Sequence, residues 1–295
     1  MSLIIRNKSK SLYGMKLYFK QHIYGNRFLL KQYLKGKEMF IRNRIPRIGE
    51  NTLFQKIFIE TVSYCNNDCR FCPASARVGL KNRAHVMSET LYQKIIKELA
   101  DLSFAGSMAF HCNNEPLLDE RLESFISRAR ALLKDNFFYL YSNGTLINKE
   151  LAQRLFGAGL NRMIISNYND SHELLPQVKG LIDHWSDMQG EMIVDYRHTH
   201  EYLGNRAGES PNAQYILEKP LDIACFRPLT EIVVGYDGTV PLCCADGLWK
   251  VTLGNAQRST LSEIWFSQRF KEVRTALGKG DRGCTEICSL CDNIL

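Results

Sequence analysis

Between residues 55 and 198, short apolar runs alternate with stretches in which apolar side chains recur every three or four positions. The runs at 56–62, 107–112, 137–142, 162–166 and 191–198 read as β-strands, and the stretches at 88–102, 119–133, 149–156 and 173–185 as amphipathic helices. Ser88, Asp119 and Asn148 stand where helix N-caps belong. Strict alternation of strand and helix is the pattern of βαβ units around a parallel sheet, so the chain is expected to be an α/β protein built on a barrel or partial barrel. Its chemistry should lie at the C-terminal ends of the strands, where the loops converge. The pattern changes near Gly204. Residues 205–228 are rich in turn formers, then two short apolar runs at 231–235 and 239–244 flank Asp237 and Gly238 and predict a hairpin. A helix at 261–277 and a cysteine-bearing loop close the chain. Three parts follow: a basic helical extension over 1–53, the α/β core over 54–204 and a small α+β segment over 205–295.

Charge changes this picture mainly at the N-terminus. Residues 1–50 hold twelve Lys or Arg against Glu38 and Glu50, a surplus of +10, and since the whole chain carries +7 the remainder sums to −3. Lys16, Lys20, Arg27, Lys31, Lys35 and Lys37 alternate with Leu17, Tyr18, Phe19, Phe28, Leu29, Leu30, Tyr33 and Leu34, which predicts basic amphipathic helices. Such helices suit a solvated face packed on the barrel, and they equally suit an anionic substrate, a membrane surface or nucleic acid, although no motif predicts specific nucleic-acid recognition. No run of 18 apolar residues appears, and the first ten residues lack the apolar stretch of a secretory signal, so a cytoplasmic protein is expected.

Ten cysteines in 295 residues are too few for a disulfide scaffold, but nine of them fall in two groups. Cys65-x3-Cys69-x2-Cys72 directly follows the first core strand. Three thiolates at this spacing suit an iron–sulfur cluster with one open iron, or a zinc site completed by His111 or Cys112. The second group comprises Cys225, Cys243, Cys244, Cys284, Cys288 and Cys291, with the spacing of either a second cluster or a zinc ribbon. Cys243 and Cys244 are neighbours on an expected strand, so only one of them should reach a shared metal site.

The segment Cys65-Asn66-Asn67-Asp68-Cys69-Arg70-Phe71-Cys72-Pro73 resembles the defining loop of the radical S-adenosylmethionine (SAM) superfamily. The resemblance implies a partial (β/α)6 TIM-like barrel and a 4Fe-4S cluster held by Cys65, Cys69 and Cys72, with SAM on the fourth iron. It also implies reductive cleavage of SAM to a 5′-deoxyadenosyl radical. Asn113, Asn114, Glu115 and Pro116 occupy the place of the family's Gly-Gly-Glu-Pro segment, which meets the methionyl amino group. Ser142 and Asn143 resemble the segment that meets the SAM carboxylate and ribose, Asn167 a ribose-facing position, and Phe71 the aromatic whose backbone meets adenine.

Cys225-x12-Gly238-x4-Cys243 with Cys288-x2-Cys291 resembles the family's SPASM and twitch extensions. Six cysteines there are too few for two fully ligated cubanes, so the expected set is one auxiliary 4Fe-4S cluster on Cys225, Cys243, Cys288 and Cys291. The auxiliary spacing is similar to that of twitch enzymes of the 2-deoxy-scyllo-inosamine dehydrogenase type. That implies an oxidoreductase that dehydrogenates an alcohol carbon of a sugar or cyclitol, with the auxiliary cluster taking the second electron and a flavodoxin or ferredoxin as external donor. Maturation of a short ribosomal peptide is the alternative, although fifty N-terminal residues are few for a leader-peptide domain. Arg197, His198, His200 and Arg206 follow the fifth strand and are the candidates for base or substrate clamp. Cys112 is expected either as a core residue or as a hydrogen-atom donor.

Overall fold

The computed structural model describes residues 2–42, 52–73, 85–202, 204–213 and 217–293. Its centre is a seven-stranded, wholly parallel sheet. In chain order the strands are β1 (Ser2–Arg6), β2 (Lys56–Ile59), β3 (Ser107–Ala109), β4 (Phe137–Ser142), β5 (Arg162–Tyr168), β6 (Glu191–Arg197) and β7 (Glu231–Val234), and they lie in the order β1-β6-β5-β4-β3-β2-β7. The sheet is a partial barrel of α/β type, not closed between β1 and β7.

Alternation along each strand assigns its faces. Ile57 and Ile59, Met108 and Phe110, Phe138 and Leu140, Met163 and Ile165, and Met192 and Val194 all enter the main core shared with the helices. The intervening residues Phe58, Ala109, Tyr139 and Val233 point into the barrel. Outside pack α3 (Glu89–Asp101), α4 (Leu122–Leu132), α5 (Lys149–Gly157) and α6 (Pro176–Asp183), and the buried stripe Leu91, Tyr92, Ile95, Ile96 and Leu99 shows why α3 sits as it does. Ser88 and Asn148 cap α3 and α5 through their side chains, whereas α4 begins after Arg121 with no side-chain cap, three residues beyond the expected start at Asp119. Asp119 instead pairs with the Arg121 guanidinium at 2.9 Å.

Two expectations are corrected here. The 231–235 run does not pair with 239–244: β7 adds to the main sheet beside β2, with Lys56 opposite Glu231 and Ile59 opposite Val234, and β8 (Thr239–Pro241) pairs antiparallel with β9 (Thr252–Asn255). All four residues of β7 are buried, which suits the interior of a parallel sheet better than a two-stranded ribbon. The Asp237-Gly238 turn does form, with Gly238 at φ +82°.

The N-terminal segment is not purely helical. It opens with β1, paired in register with β6, before α1 (Lys10–Tyr24) and α2 (Arg27–Arg42). The segments 1–53 and 205–295 thus each lend a strand to the central sheet.

Tyr24 of α1 and Leu30 and Leu34 of α2 form a second core with Tyr202, Leu217, Leu221, Ile223, Ala224 and Phe226. The short helix α7 (Arg227–Thr230) leads into β7, and α8 (Leu261–Trp265), α9 (Gln268–Gly278) and α10 (Glu286–Leu290) complete the C-terminal part.

Candidate active site

The first cysteine loop leaves the C-terminal end of β2. A turn returns the Cys72 N–H to the Cys69 carbonyl at 3.0 Å, and the Arg70 N–H donates to the Thr199 carbonyl at 3.0 Å, fixing the loop to the end of β6. Burial pushes the Cys65 thiol up to about 12, with Glu115 and Cys72 adding to the rise, and burial followed by Cys72 and Cys65 raises Cys69 further. Three thiols, Cys69 buried and Cys65 and Cys72 half-buried, therefore lie close together beside a carboxylate, and the crowding disfavours ionisation of Cys65 and Cys69. A cationic iron cluster removes that conflict by taking the thiolates as ligands, so this donor set fits the group that the sequence implies.

Glu115 is the hub of the adjacent loops. It is buried, and its carboxylate accepts from Ser142 Oγ at 2.8 Å, the Asn143 N–H at 2.7 Å and the Leu117 N–H at 3.1 Å, while its own N–H donates to the Tyr64 carbonyl at 3.1 Å. It thus joins the loops after β2, β3 and β4. Pro116 opens the short 3-10 turn that follows. Asn143 donates to Asn66 Oδ1 at 2.7 Å and lies 3.8 Å from the Cys65 sulfur. Gly144 has φ +77°, and a Cβ there would meet Ile165 at 2.7 Å, so this turn admits only glycine. The Asn114 Oδ1 accepts from the Cys112 N–H at 3.0 Å, and its buried amide nitrogen has no acceptor among the described residues. That orphaned donor, beside the hub, is suited to a ligand carboxylate or hydroxyl.

Burial raises the Glu115 carboxyl to about 7, against three hydrogen bonds that oppose the rise. A raised carboxyl contributes stability below its unfolded value of 4.5 that is lost as pH climbs through 7. The cofactor-free wild type should therefore lose more of its melting temperature between pH 5 and 8 than Glu115→Gln does, as thermal unfolding at each pH will show.

Two expected SAM positions are placed differently. Asn167 is fully buried and spends both amide atoms on its own loop, donating to the Glu173 carbonyl at 2.9 Å and accepting from the Leu175 N–H at 2.8 Å. It braces the loop after β5 rather than facing a ribose. Asn113 turns into the barrel, where its N–H donates to Glu60 at 2.6 Å, its amide nitrogen to the Cys244 carbonyl at 3.2 Å, and its oxygen accepts from the Arg206 guanidinium. Phe71 packs its ring on Tyr168 with centroids 5.7 Å apart, and its carbonyl accepts from Ser210 Oγ at 3.1 Å.

The proposed base and clamp residues divide by strand parity. Arg197 bonds to Glu201 and pairs with Asp195 at 3.5 Å. His198 points the other way and stacks on Tyr13 of α1 with centroids 5.2 Å apart, and both His198 and His200 lie beside Asp170, at 3.6 and 3.2 Å. The two histidines are thus withdrawn from the mouth. Arg206 is in the mouth with Asn113 and the Cys244 carbonyl, and its buried Nε has no partner among the described residues. Arg206 and Ala207 both have left-handed backbones, φ +49° and +60°, which costs energy for residues with a Cβ. The segment is held there by Asn205, whose N–H donates to Asp292 at 2.8 Å, next to Cys291.

Sequence reasoning missed Glu60, Arg227 and Glu231. Arg227 reaches Glu231 at 3.3 Å and the Cys244 sulfur at 2.8 Å, and the half-buried Cys112 feels Glu60, Cys244, Arg206 and Glu231. A charged residue at an inward position of a buried strand, as Glu60 is, was the available signal. His111 is unsuited to zinc, because its Nδ1 accepts from the Tyr141 N–H at 3.2 Å, between the rings of Tyr139 and Tyr141.

In the C-terminal part, Cys225 and Cys291 each lie within electrostatic reach of both Cys243 and Cys288. Burial pushes the Cys288 thiol up to about 12, and its thiol neighbours add to the rise. Cys284 is less buried and feels Asp281 and Cys225. Arg227 and the buried Arg282 flank the four thiols. Cys244 faces the barrel, donating to Glu231 at 3.2 Å. Cys243→Ala is therefore expected to lose about half of the bound iron and Cys244→Ala to keep it, as iron analysis of anaerobically reconstituted protein will show.

A model of the radical SAM superfamily matches residues 59–178, and one of an iron-sulfur cluster-binding domain, SPASM, matches residues 225–292. The barrel part of the chain thus matches the radical SAM superfamily, and its C-terminal part the SPASM domain. This radical SAM enzyme uses SAM and 4Fe-4S chemistry. It is 28% identical over 242 residues to the S-adenosyl-L-methionine-dependent 2-deoxy-scyllo-inosamine dehydrogenase of Niallia circulans, a match covering 82% of this chain and 94% of the relative. The crystal structure of BtrN in complex with AdoMet and 2-DOIA superposes with a TM-score of 0.71 at 28% identity, covering 82% of this chain and 94% of that one. BtrN in an open conformation gives 0.63 at 25% identity over the same shares.

Proposed function

We propose that this radical SAM enzyme oxidises a secondary alcohol of a cyclitol or sugar to a ketone. The observation that carries the reading is the match to an aminocyclitol dehydrogenase over 82% of this chain and 94% of the relative, through both the barrel and the cysteine-bearing C-terminal part. Cys65, Cys69 and Cys72 would hold the SAM-binding cluster, and Cys225, Cys243, Cys288 and Cys291 the auxiliary one. When bound, these groups supply a 5′-deoxyadenosyl radical to take the carbinol hydrogen atom and an acceptor for the second electron.

The chain's own residues do the rest. Glu115 ties together the loops around SAM, with Asn114 offering its unpaired amide donor to the ligand. Arg206 turns its partnerless Nε into the barrel to orient the substrate hydroxyls. Glu60 shares Asn113 with Arg206 and is the carboxylate placed to receive the hydroxyl proton. Arg197 fixes the end of β6 through Glu201 and Asp195. The hydrogen atom, the proton and the remaining electron together account for the two-electron oxidation. The first electron, which cleaves SAM, comes from an external flavodoxin or ferredoxin.

The test is deuterium transfer. A panel of cyclitols and sugars, each labelled at one carbinol carbon, is incubated with reduced enzyme and SAM, and 5′-deoxyadenosine is analysed by mass spectrometry. One panel member should pass its label to deoxyadenosine and appear as the ketone. Label arriving only from a peptide substrate would overturn the assignment.

A further inference from the structure

The pair α1–α2 has two apolar faces, and the fold uses only one. Tyr13, Tyr24, Leu30 and Leu34 are buried against the rest of the protein. On the other side of α1, Leu12, Met15 and Phe19 recur at helical spacing and are 63%, 49% and 64% exposed, with Tyr18 beside them at 68%. On α2 the outer positions Phe28 and Met39 are 69% and 67% exposed. Side chains of this size standing together in water are unusual for a face that meets nothing.

The charge on the two helices is predominantly positive, although Arg27 pairs with Glu218 and Lys31 with Asp222. Across α1 and α2 the cations are Lys10, Lys16, Lys20, Arg27, Lys31, Lys35, Lys37 and Arg42, and the single acid is Glu38, whose carboxylate accepts from the Ala224 N–H at 3.4 Å. Lys16 lies next to the Leu12–Phe19 stripe, and Lys35 lies between Phe28 and Met39. We propose that this outer face docks on the surface of an anionic phospholipid bilayer, with α1 and α2 lying in the headgroup plane. Apolar stripes entering the acyl boundary, with lysines snorkelling to the phosphates, are what such a surface rewards.

The other occupants fit less well. A second copy meeting the same face about a twofold axis would set these cations against each other. A nucleic acid would reward the lysines but leave Leu12, Met15 and Met39 without partners. Crossing the bilayer is not involved, because no helix among the described residues is long and apolar enough to span it. Tyr13, on the inner face of α1, donates to Glu201 at 2.7 Å, and Glu201 bonds to Arg197 at the end of β6. The docked face therefore lies alongside the barrel mouth. The proposal does not depend on which alcohol the enzyme oxidises.

Flotation of the intact, cluster-loaded enzyme with lipid vesicles tests it. The protein should float with vesicles of phosphatidylglycerol and phosphatidylcholine, remain behind with phosphatidylcholine alone, and lose binding as salt rises. Phe19→Ser with Phe28→Ser, and separately Lys16→Glu with Lys35→Glu, should each lower the bound fraction roughly tenfold while iron content stays unchanged. Three results would overturn the proposal: no flotation with anionic vesicles, equal flotation with neutral ones, or a wild-type dimer in sedimentation that the Phe19→Ser, Phe28→Ser variant converts to monomer.

Discussion

Replacing Cys69 with alanine is expected to abolish SAM-dependent formation of 5′-deoxyadenosine and to lower bound iron from about eight to about four per chain, because one of two cubanes loses a ligand. The effect is all-or-none. Cys69 is buried within electrostatic reach of Cys65 and Cys72, so its loss leaves the set with two thiols. The auxiliary thiols belong to α10 and the segments around β8 and β7, which share no backbone with the first loop, so their iron should remain. Cys69→Ala and Cys243→Ala should then be complementary: each keeps about half of the iron, and only the second still yields deoxyadenosine. Iron analysis with product chromatography reads both.

Arg206→Lys should lower kcat/KM for the alcohol roughly a hundredfold while leaving substrate-free cleavage of SAM unchanged. Among the described residues the guanidinium has no ion pair. It touches Asn113 and the Cys244 carbonyl, its Nε is orphaned, and its backbone is left-handed without being glycine. Strain of that kind persists only where neighbouring contacts enforce it, and here the enforcing contact is Asn205 with Asp292. Lysine keeps the charge but not the planar fork, so the substrate would bind with its carbinol hydrogen misplaced. The readout is the ratio of ketone to deoxyadenosine, which should fall well below one in the variant.

Much of this architecture was legible in the sequence, for identifiable reasons. The aromatic run of β4, Phe137–Ser142, fell at the expected residues because its alternation is unbroken on both sides of the sheet. The SAM-cluster loop was legible because its cysteines are close in sequence and follow a strand. The neighbours Cys243 and Cys244 lie in the turn beyond β8 rather than on the expected strand, so their separation is set by the turn and not by pleating. What sequence could not supply depended on tertiary pairing. β1 is only five residues long and sits at the edge beside β6, so a basic segment disguised it. β7 could be read as half of a hairpin because its true partner, β2, lies far away in the chain.

The histidines show a subtler failure. His198 and His200 were placed at the mouth because they follow a strand end, but side chains alternate there too, and Arg197 already takes the inward position. Glu60 could have been found from its inward place after β2, but Arg227 and Glu231 gave no such signal. Each looks like an ordinary charged residue until the fold closes around it.

The central claim is that three thiols in the loop after β2 leave one iron open for SAM. It is tested most directly by the electron paramagnetic resonance spectrum of the reduced enzyme recorded before and after SAM is added, in the Cys243→Ala background where the auxiliary signal is removed. The account predicts that SAM shifts the g-values of the remaining centre. A spectrum that stays the same with saturating SAM would contradict it.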